Sequence, residues 1–354
     1  MKKFLSILFV LLFFVGVFSP KSFVFAEDEQ GISYLVYDCN MENVLFERID
    51  VSVGDIFIDK DFKQYKVYLV DEREHYAKAE LIGEKKRLGV TKKSLETIGN
   101  RNIDKKICLY MTHNDESYIK GDGTDSVYGE GGIHDVANRL AYELKQRGIN
   151  IVIDETLHIP HNSTAYSRSA VTAKKLLEQN PNAIFDIHRD GVARSAYVTK
   201  VNGEERCKVR IVVGGANPNK EKNLEFALYL MTVAESVCPW LFADIYYASG
   251  KYNQDLSSKA LLFEMGTYTA EKDLVLKSVP ELAKVIDTTL FSTSIDDDGN
   301  LVIGSDDYAN TIDNVLAEKK NNEVFPTIFL ILILLGAVGT LVWFFIKFRK
   351  QKFN

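Results

Sequence analysis

Three short stretches carry residues whose types and spacing could do chemistry: "MTHNDES" with His113 and Glu116, "DIHRD" with Asp186 and His188, and "LLFEMG" with Glu264. Two imidazoles and one carboxylate form an N/O donor set that suits a tetrahedral Zn²⁺ ion with one position left for water. A further carboxylate nearby can take the water's proton as it attacks a carbonyl carbon, which is metal-assisted amide hydrolysis. Glu264 is individually the most telling, because a carboxylate inside the apolar run "ALLFEMG" is costly to bury unless it is paired or functional. Each histidine alone reads more simply as a polar cap at a strand end; the joint pattern carries the chemical reading. Asp186 precedes His188 by two and shares its strand face, so it reads either as support for that histidine or as a polar residue at a sheet edge. His134 begins the next helix and competes with Glu116 as second ligand, whereas His158 and His161 in "LHIPHNS" read as loop residues facing water.

These side chains need elements to bring them together. His113, His188 and Glu264 each end a short apolar segment: "ICLYMT", "AIFDI" and "ALLFE". Between the first two, "GIHDVANRLAYELKQRG" places Ile133, Val136, Ala137, Leu140 and Leu144 on one helical face and stops at Gly148. Strands alternating with helices over residues 101–292 predict an α/β catalytic domain with a mostly parallel sheet and helices on both faces. Ligands of such sheets bind off the carboxyl ends of the strands, which gives His113, Glu116, His188 and Glu264 a common address. Residues 27–100 read as a small all-β module of short strands, among them "QYKVYLVDE", in which Tyr65, Val67 and Leu69 share a face. That module shows no constellation for chemistry. No nucleophile elbow or nucleotide-binding glycine motif occurs, and "GEGG", Gly129 to Gly132, reads as a flexible lead into a helix.

The chain has 354 residues, 46% of them apolar, and a net charge of −6, so no basic footprint for nucleic acid is present. Four cysteines with no C-x-x-C or C-x-x-H spacing argue against a cysteine-type zinc site, and a compartment outside the cytoplasm allows disulfides. Residues 1–26 read as a signal peptide with a cleavage site after Ala26. Residues 293–326 read as a polar linker, in which Asp296–Asn300 is a solvated turn rather than a calcium loop. Residues 327–346 are uncharged and, at about 1.5 Å per residue, long enough to cross a hydrocarbon layer of about 30 Å, so a C-terminal transmembrane helix is expected there. The basic tail, 347–354, would then lie in the cytoplasm. The expectation is a single-pass protein of the cell membrane with its catalytic domain extracytoplasmic.

The segment from about Lys106 to Leu290 resembles stage II sporulation protein P, a family similar to the zinc-dependent N-acetylmuramoyl-L-alanine amidases. The resembling stretches are "THNDESY", "HDVANRLAYELKQRG", "DIHRD", "NPNKEKNLEFAL" and "YNQDLSSKALLFEMG". The resemblance implies that His113 and His188 bind zinc, that Glu116 supplies the second ligand through the T-H-N-x-E-S pattern, and that Glu264 is the catalytic carboxylate. It implies a peptidoglycan hydrolase cutting the amide between muramic acid and L-alanine, in some members also stem-peptide crosslinks. It further implies stage II sporulation proteins D and M as partners during engulfment. A non-catalytic wall-binding scaffold of the same fold is the alternative reading, and a metallopeptidase or deacylase a third.

Overall fold

Apolar residues at alternate positions of the early strands, and continuous apolar runs in the later ones, bring both halves of the chain into one sheet. The computed structural model describes residues 33–87, 90–92, 104–295 and 301–303. The expected signal peptide, transmembrane stretch and basic tail lie outside the described residues. Among the described residues no helix is long and apolar enough to cross a membrane.

The first strands are β1 (Tyr34–Tyr37), β2 (Val44–Arg48), β3 (Ile56–Asp59), β4 (Lys63–Asp71), β5 (Tyr76–Glu84) and β6 (Val90–Lys92). Then come β7 (Lys106–Tyr110), β8 (Asn150–Asp154), β9 (Ala183–Asp190), the hairpin β10 (Val198–Val201) and β11 (Glu204–Cys207), β12 (Val209–Gly214), β13 (Phe242–Ala248) and β14 (Ala260–Thr267). Eleven strands form one sheet in the order β2-β1-β5-β4-β3-β13-β12-β14-β9-β7-β8. Two short strands, β15 (Thr293–Ile295) and β16 (Leu301–Ile303), pair with each other and with β6 in a separate small sheet, which reading residues 293–326 as coil does not foresee.

The sheet is mixed, which corrects the expectation of a mostly parallel one. Strands β7, β8, β9 and β14 run parallel, as do β12 and β13, but β12 lies antiparallel to β14 and β13 antiparallel to β3. The reason is local. Parallel pairing follows from a helical crossover, and the helix rule holds wherever one is present. Between β9 and β12 the chain passes only a one-turn helix and the β10–β11 hairpin, so nothing forces β12 to run with β9. The all-β elements also do not stand apart from this sheet. β3 hydrogen-bonds to β13 through Ile58↔Ile245 and neighbouring pairs, so β1–β5 extend the same sheet.

Four long helices cover it: α1 (Ile133–Gln146), α2 (Ala165–Leu177), α3 (Lys220–Val237) and α4 (Lys272–Phe291). Ile133, Leu140, Phe226, Leu230, Leu282 and Ile286 from α1, α3 and α4 pack in one cluster with Leu109, Phe185, Ile211 and Phe263 of the strands. On the other face, Ala173 and Leu176 of α2 meet Cys108, Tyr110 and Ile184, while Phe46, Phe57 and Val67 of the early strands meet Tyr246 and Leu262. Burial of such side chains stabilises the fold by about 1.5–3 kcal/mol each before chain entropy is counted. The helices therefore clamp β7, β9 and β14 from both sides, and their carboxyl ends are held as one rim. All four cysteines are free thiols; Cys108, Cys207 and Cys238 are buried, and burial pushes the Cys207 thiol up to about 12.

Candidate functional site

Strand β7 ends at Tyr110, and the chain turns over residues 111–118 so that every side chain of "MTHNDESY" is buried. Asp186 of β9 holds this turn: its carboxylate accepts hydrogen bonds from the Thr112 amide (2.8 Å) and the Thr112 hydroxyl (2.6 Å). The turn delivers His113 and Glu116, and the next strand delivers His188. Glu116 Oε1 lies 3.0 Å from His113 Nδ1 and 3.1 Å from His188 Nδ1, and the two rings are edge to face with centroids 4.8 Å apart. The Arg189 amide fixes the other Glu116 oxygen, Oε2, at 2.8 Å. His188 Nε2 stands 3.1 Å from Asp186 Oδ1 without the alignment of a hydrogen bond. Asp186 therefore supports both histidines from a central strand and is not a sheet-edge residue.

One ligand atom from each of His113, Glu116 and His188 lies within 4.8 Å of the other two. Ligand atoms around a tetrahedral ion with bonds near 2.0–2.1 Å stand roughly 3.3 Å apart, so the spacing fits. The electrostatics fit as well. Burial pushes the His113 imidazole down to about 4, which keeps it neutral and able to donate a lone pair. At Glu116 burial opposes charge, but the adjacent His188 and His113 rings outweigh it and hold the carboxyl well below its usual range. His188 is likewise penalised by burial, yet Asp186 and Glu116 raise its pKa well above that of a free imidazole. These buried carboxylates thus call for positive charge between them, which a divalent cation supplies more compactly than a proton. His113 Nε2 is a further buried nitrogen with no hydrogen-bond partner.

Glu264 sits beside His188 in the β9–β14 register, on the next strand of the rim. Its side chain is fully buried, and burial raises its carboxyl to about 7 against the opposing charge of Arg48. Arg48 is the functional residue that sequence reasoning missed. It closes β2, 216 residues before Glu264, and its Nη1 donates to Glu264 Oε1 (3.0 Å) and to Asp190 Oδ1 (2.8 Å). Asp190 in turn accepts from Arg210 (2.7 Å) and the Tyr197 hydroxyl (2.7 Å), and Arg210 pairs with Asp244 at 2.6 Å. A buried chain of charges therefore fixes the Glu264 carboxylate through Oε1, while its Oε2 has no hydrogen-bond partner among the described residues. The visible signal for Arg48 was its inward parity with Phe46, two residues earlier on the same strand.

The remaining histidines divide differently from the sequence expectation. His134 bonds Glu155 Oε1 at 3.3 Å and is not brought to the cluster. His158 does not face water: it is buried between the Met111 carbonyl oxygen (2.7 Å) and the Thr172 hydroxyl (2.8 Å). His161 also turns inward, stacking on His113 with centroids 3.6 Å apart and bonding Asp115 Oδ1 at 3.0 Å. "GEGG" is more than a flexible lead. A methyl group at Gly131 would lie 2.3 Å from the Glu116 carbonyl oxygen, and the Gly131 amide donates to Asn114 O at 2.9 Å, so only glycine lets α1 begin this close to the turn that carries His113 and Glu116.

The family model for stage II sporulation protein P matches residues 45–287, which includes Arg48 and every residue of the site. Stage II sporulation protein P of Bacillus subtilis (strain 168) is 30% identical over 190 residues, 48% of this chain and 47% of that protein, so the chain spans about half the length of this relative. Among solved structures, an N-acetylmuramoyl-L-alanine amidase from Clostridium difficile 630 aligns with 52% of this chain and 94% of its own at 15% identity and a TM-score of 0.34. The CwlD amidase from Clostridioides difficile, solved with the GerS lipoprotein, aligns with 51% of this chain and 94% of its own at 16% identity and a TM-score of 0.37. The amidase Ami1 from Mycobacterium smegmatis aligns with 51% of this chain and 93% of its own at 14% identity and a TM-score of 0.34.

Proposed function

We propose, for a chain that belongs to the stage II sporulation protein P family, that it is a zinc-dependent peptidoglycan hydrolase cleaving the N-acetylmuramoyl-L-alanine amide. The single observation that carries this reading is the buried group of His113, Glu116 and His188 with Glu264 on the adjoining strand. His113, Glu116 and His188 would hold the zinc ion, which when bound supplies Lewis acidity at the scissile carbonyl. Glu264 takes the proton of the attacking water and passes it to the departing amine. Its raised pKa suits both halves of that task near neutral pH, since the same group must accept and then release a proton. Arg48 holds the Glu264 carboxylate in one orientation, and Asp186 does the same for His188. We place the enzyme outside the cytoplasmic membrane, tethered to it, where its substrate lies; the apolar stretches at the two ends of the sequence support this. Stage II sporulation proteins D and M are the partners to test by co-purification.

Digestion of purified sacculi followed by fragment mass analysis tests the reading. Muramic acid freed of L-alanine is the expected product, absent with Glu264→Gln. New peptide ends with intact muramoyl amides would make the protein a peptidase instead.

A further inference from the structure

The first turn of α2 puts one more polar group against the two histidines. Tyr166 is 8% exposed; its ring stacks in parallel on His188 with centroids 6.1 Å apart and meets His113 edge to face at 5.5 Å. Tyr252 closes a third side of the ring at 5.4 Å. The turn beneath the ring is pinned as well. Ser169 Oγ lies 3.3 Å from the Tyr166 carbonyl oxygen and 2.7 Å from Thr112 Oγ1, and it accepts from the Asn253 side-chain amide at 2.9 Å. Thr112 immediately precedes His113, so the turn that carries this histidine also fixes where Tyr166 stands.

Packing accounts for the ring but not for its hydroxyl. The phenol oxygen is buried and has no hydrogen-bond partner among the described residues. A buried hydroxyl left unsatisfied costs folding free energy, and phenylalanine would make the same aromatic contacts without that cost. A partner brought by the substrate accounts for such a group. The same condition holds for His113 Nε2, His188 Nε2 and Glu264 Oε2, all members of the site. The phenol is also within the field of that site. Burial is the largest cause holding its pKa well above the usual tyrosine range, followed by Asp186, Tyr252, Glu264 and Glu116. Near neutral pH it therefore remains an O–H donor.

We propose that the Tyr166 hydroxyl is a further catalytic group, donating a hydrogen bond to the oxyanion that forms on the scissile carbonyl. The inference rests on the amide-hydrolase reading. As the water oxygen bonds to the carbonyl carbon, Glu264 takes the water's proton and the carbonyl π pair moves onto oxygen. Tyr166 donates to that oxygen and keeps its own proton. When the C–N bond breaks, the pair returns to re-form the carbonyl, and the amine leaves with the proton that Glu264 carried. A donor already in place costs no reorganisation at the moment of reaction.

Tyr166→Phe removes the hydroxyl and keeps the ring. With the full zinc-loaded chain acting on a soluble muramoyl-L-alanyl peptide, kcat is expected to fall about 10²–10³-fold with KM nearly unchanged. The phosphinate isostere of that peptide, in which P(O)(O⁻)–CH₂ replaces the scissile C(O)–NH, should lose affinity by a similar factor in calorimetric titration. The variant should keep its zinc and melt no lower than the parent, because it sheds an unsatisfied buried group. An unchanged kcat or an unchanged phosphinate affinity overturns the proposal. So does a lower melting temperature or loss of zinc, which would show that the hydroxyl serves the fold. A parent that neither cuts the peptide nor binds the phosphinate overturns the hydrolase reading and this one with it, whereas a parent that cuts no faster than Tyr166→Phe overturns this one alone.

Discussion

Arg48 Nη1 stands 3.0 Å from Glu264 Oε1 and 2.8 Å from Asp190 Oδ1, so one guanidinium nitrogen from the edge strand of the sheet bridges two buried carboxylates at its centre. Removing the cation leaves those carboxylates uncompensated, which in buried pairs costs about 3–5 kcal/mol. Arg48→Met should therefore lower the urea midpoint markedly and cut sacculus digestion, while Arg48→Lys restores part of both. The pH profile adds a sharper reading. Since Arg48 opposes the upward push of burial on Glu264, its loss should move the acid limb of activity to higher pH. An Arg48→Met protein with unchanged stability and an unchanged acid limb would show that the bridge has no part in the site.

Metal content separates the two carboxylates. On the proposed ligand set, His113→Ala and His188→Ala should each abolish a stoichiometry of about one zinc per chain, because each removes one of the three donors grouped there among the described residues. Glu264→Gln should keep the metal and lose hydrolysis. Chelation should also lower the melting temperature, since an ion held only by the folded state at 100 times its Kd stabilises by about 2.7 kcal/mol. Zinc retained by His188→Ala, measured by atomic absorption on dialysed protein, would remove His188 from the ligand set.

Much of this site is legible in the sequence because a polar residue at the end of an apolar strand conflicts with its surroundings. His113, His188 and Glu264 each interrupt such a run, and Glu116 follows His113 by a spacing that one turn can close. Arg48 is harder to see. It belongs to strands that read as a separate module, and the pairing between β3 and β13 that carries this module into the site joins segments far apart in sequence. His161 is illegible for another reason: loops have no periodicity, so nothing in "LHIPHNS" tells which imidazole folds back on His113. The direction of β12 escapes for want of a crossover helix to fix it.

Gly131 offers a test of how tightly the turn that carries His113 and Glu116 is held. A methyl group there meets backbone, the Glu116 carbonyl, at 2.3 Å, and backbone cannot step aside as a side-chain tip can. Gly131→Ala should shift the turn that carries Glu116 and lower zinc affinity. Metal-ligand misplacement of this kind typically costs on the order of 10–100-fold in affinity. Competition with a chromogenic chelator measures it. Gly148, which has open space around its α-carbon, is the control, although its φ of 76° makes alanine mildly destabilising there.

Acid stability should depend on Glu271, which precedes α4 and ties it to two distant segments. Its carboxylate accepts from Lys120 (2.7 Å) and Arg194 (2.8 Å). Partial burial works against its charge, but these hydrogen bonds overcome it and pull the carboxyl down to about 2 from an ordinary value of 4.5. A depressed folded-state pKa stabilises the protein above the unfolded value and stops doing so as pH falls through the folded one. The contribution is therefore complete above pH 4.5, fades between 4.5 and about 2, and is absent below. With about a third of the side chain exposed, solvent screening reduces it to roughly 1 kcal/mol. Glu271→Gln should melt about 2–4 °C lower than the parent at pH 7, and the gap should close as the buffer is taken toward pH 2. A gap that stays constant across that range would show that the carboxylate's charge is not what holds the three segments together.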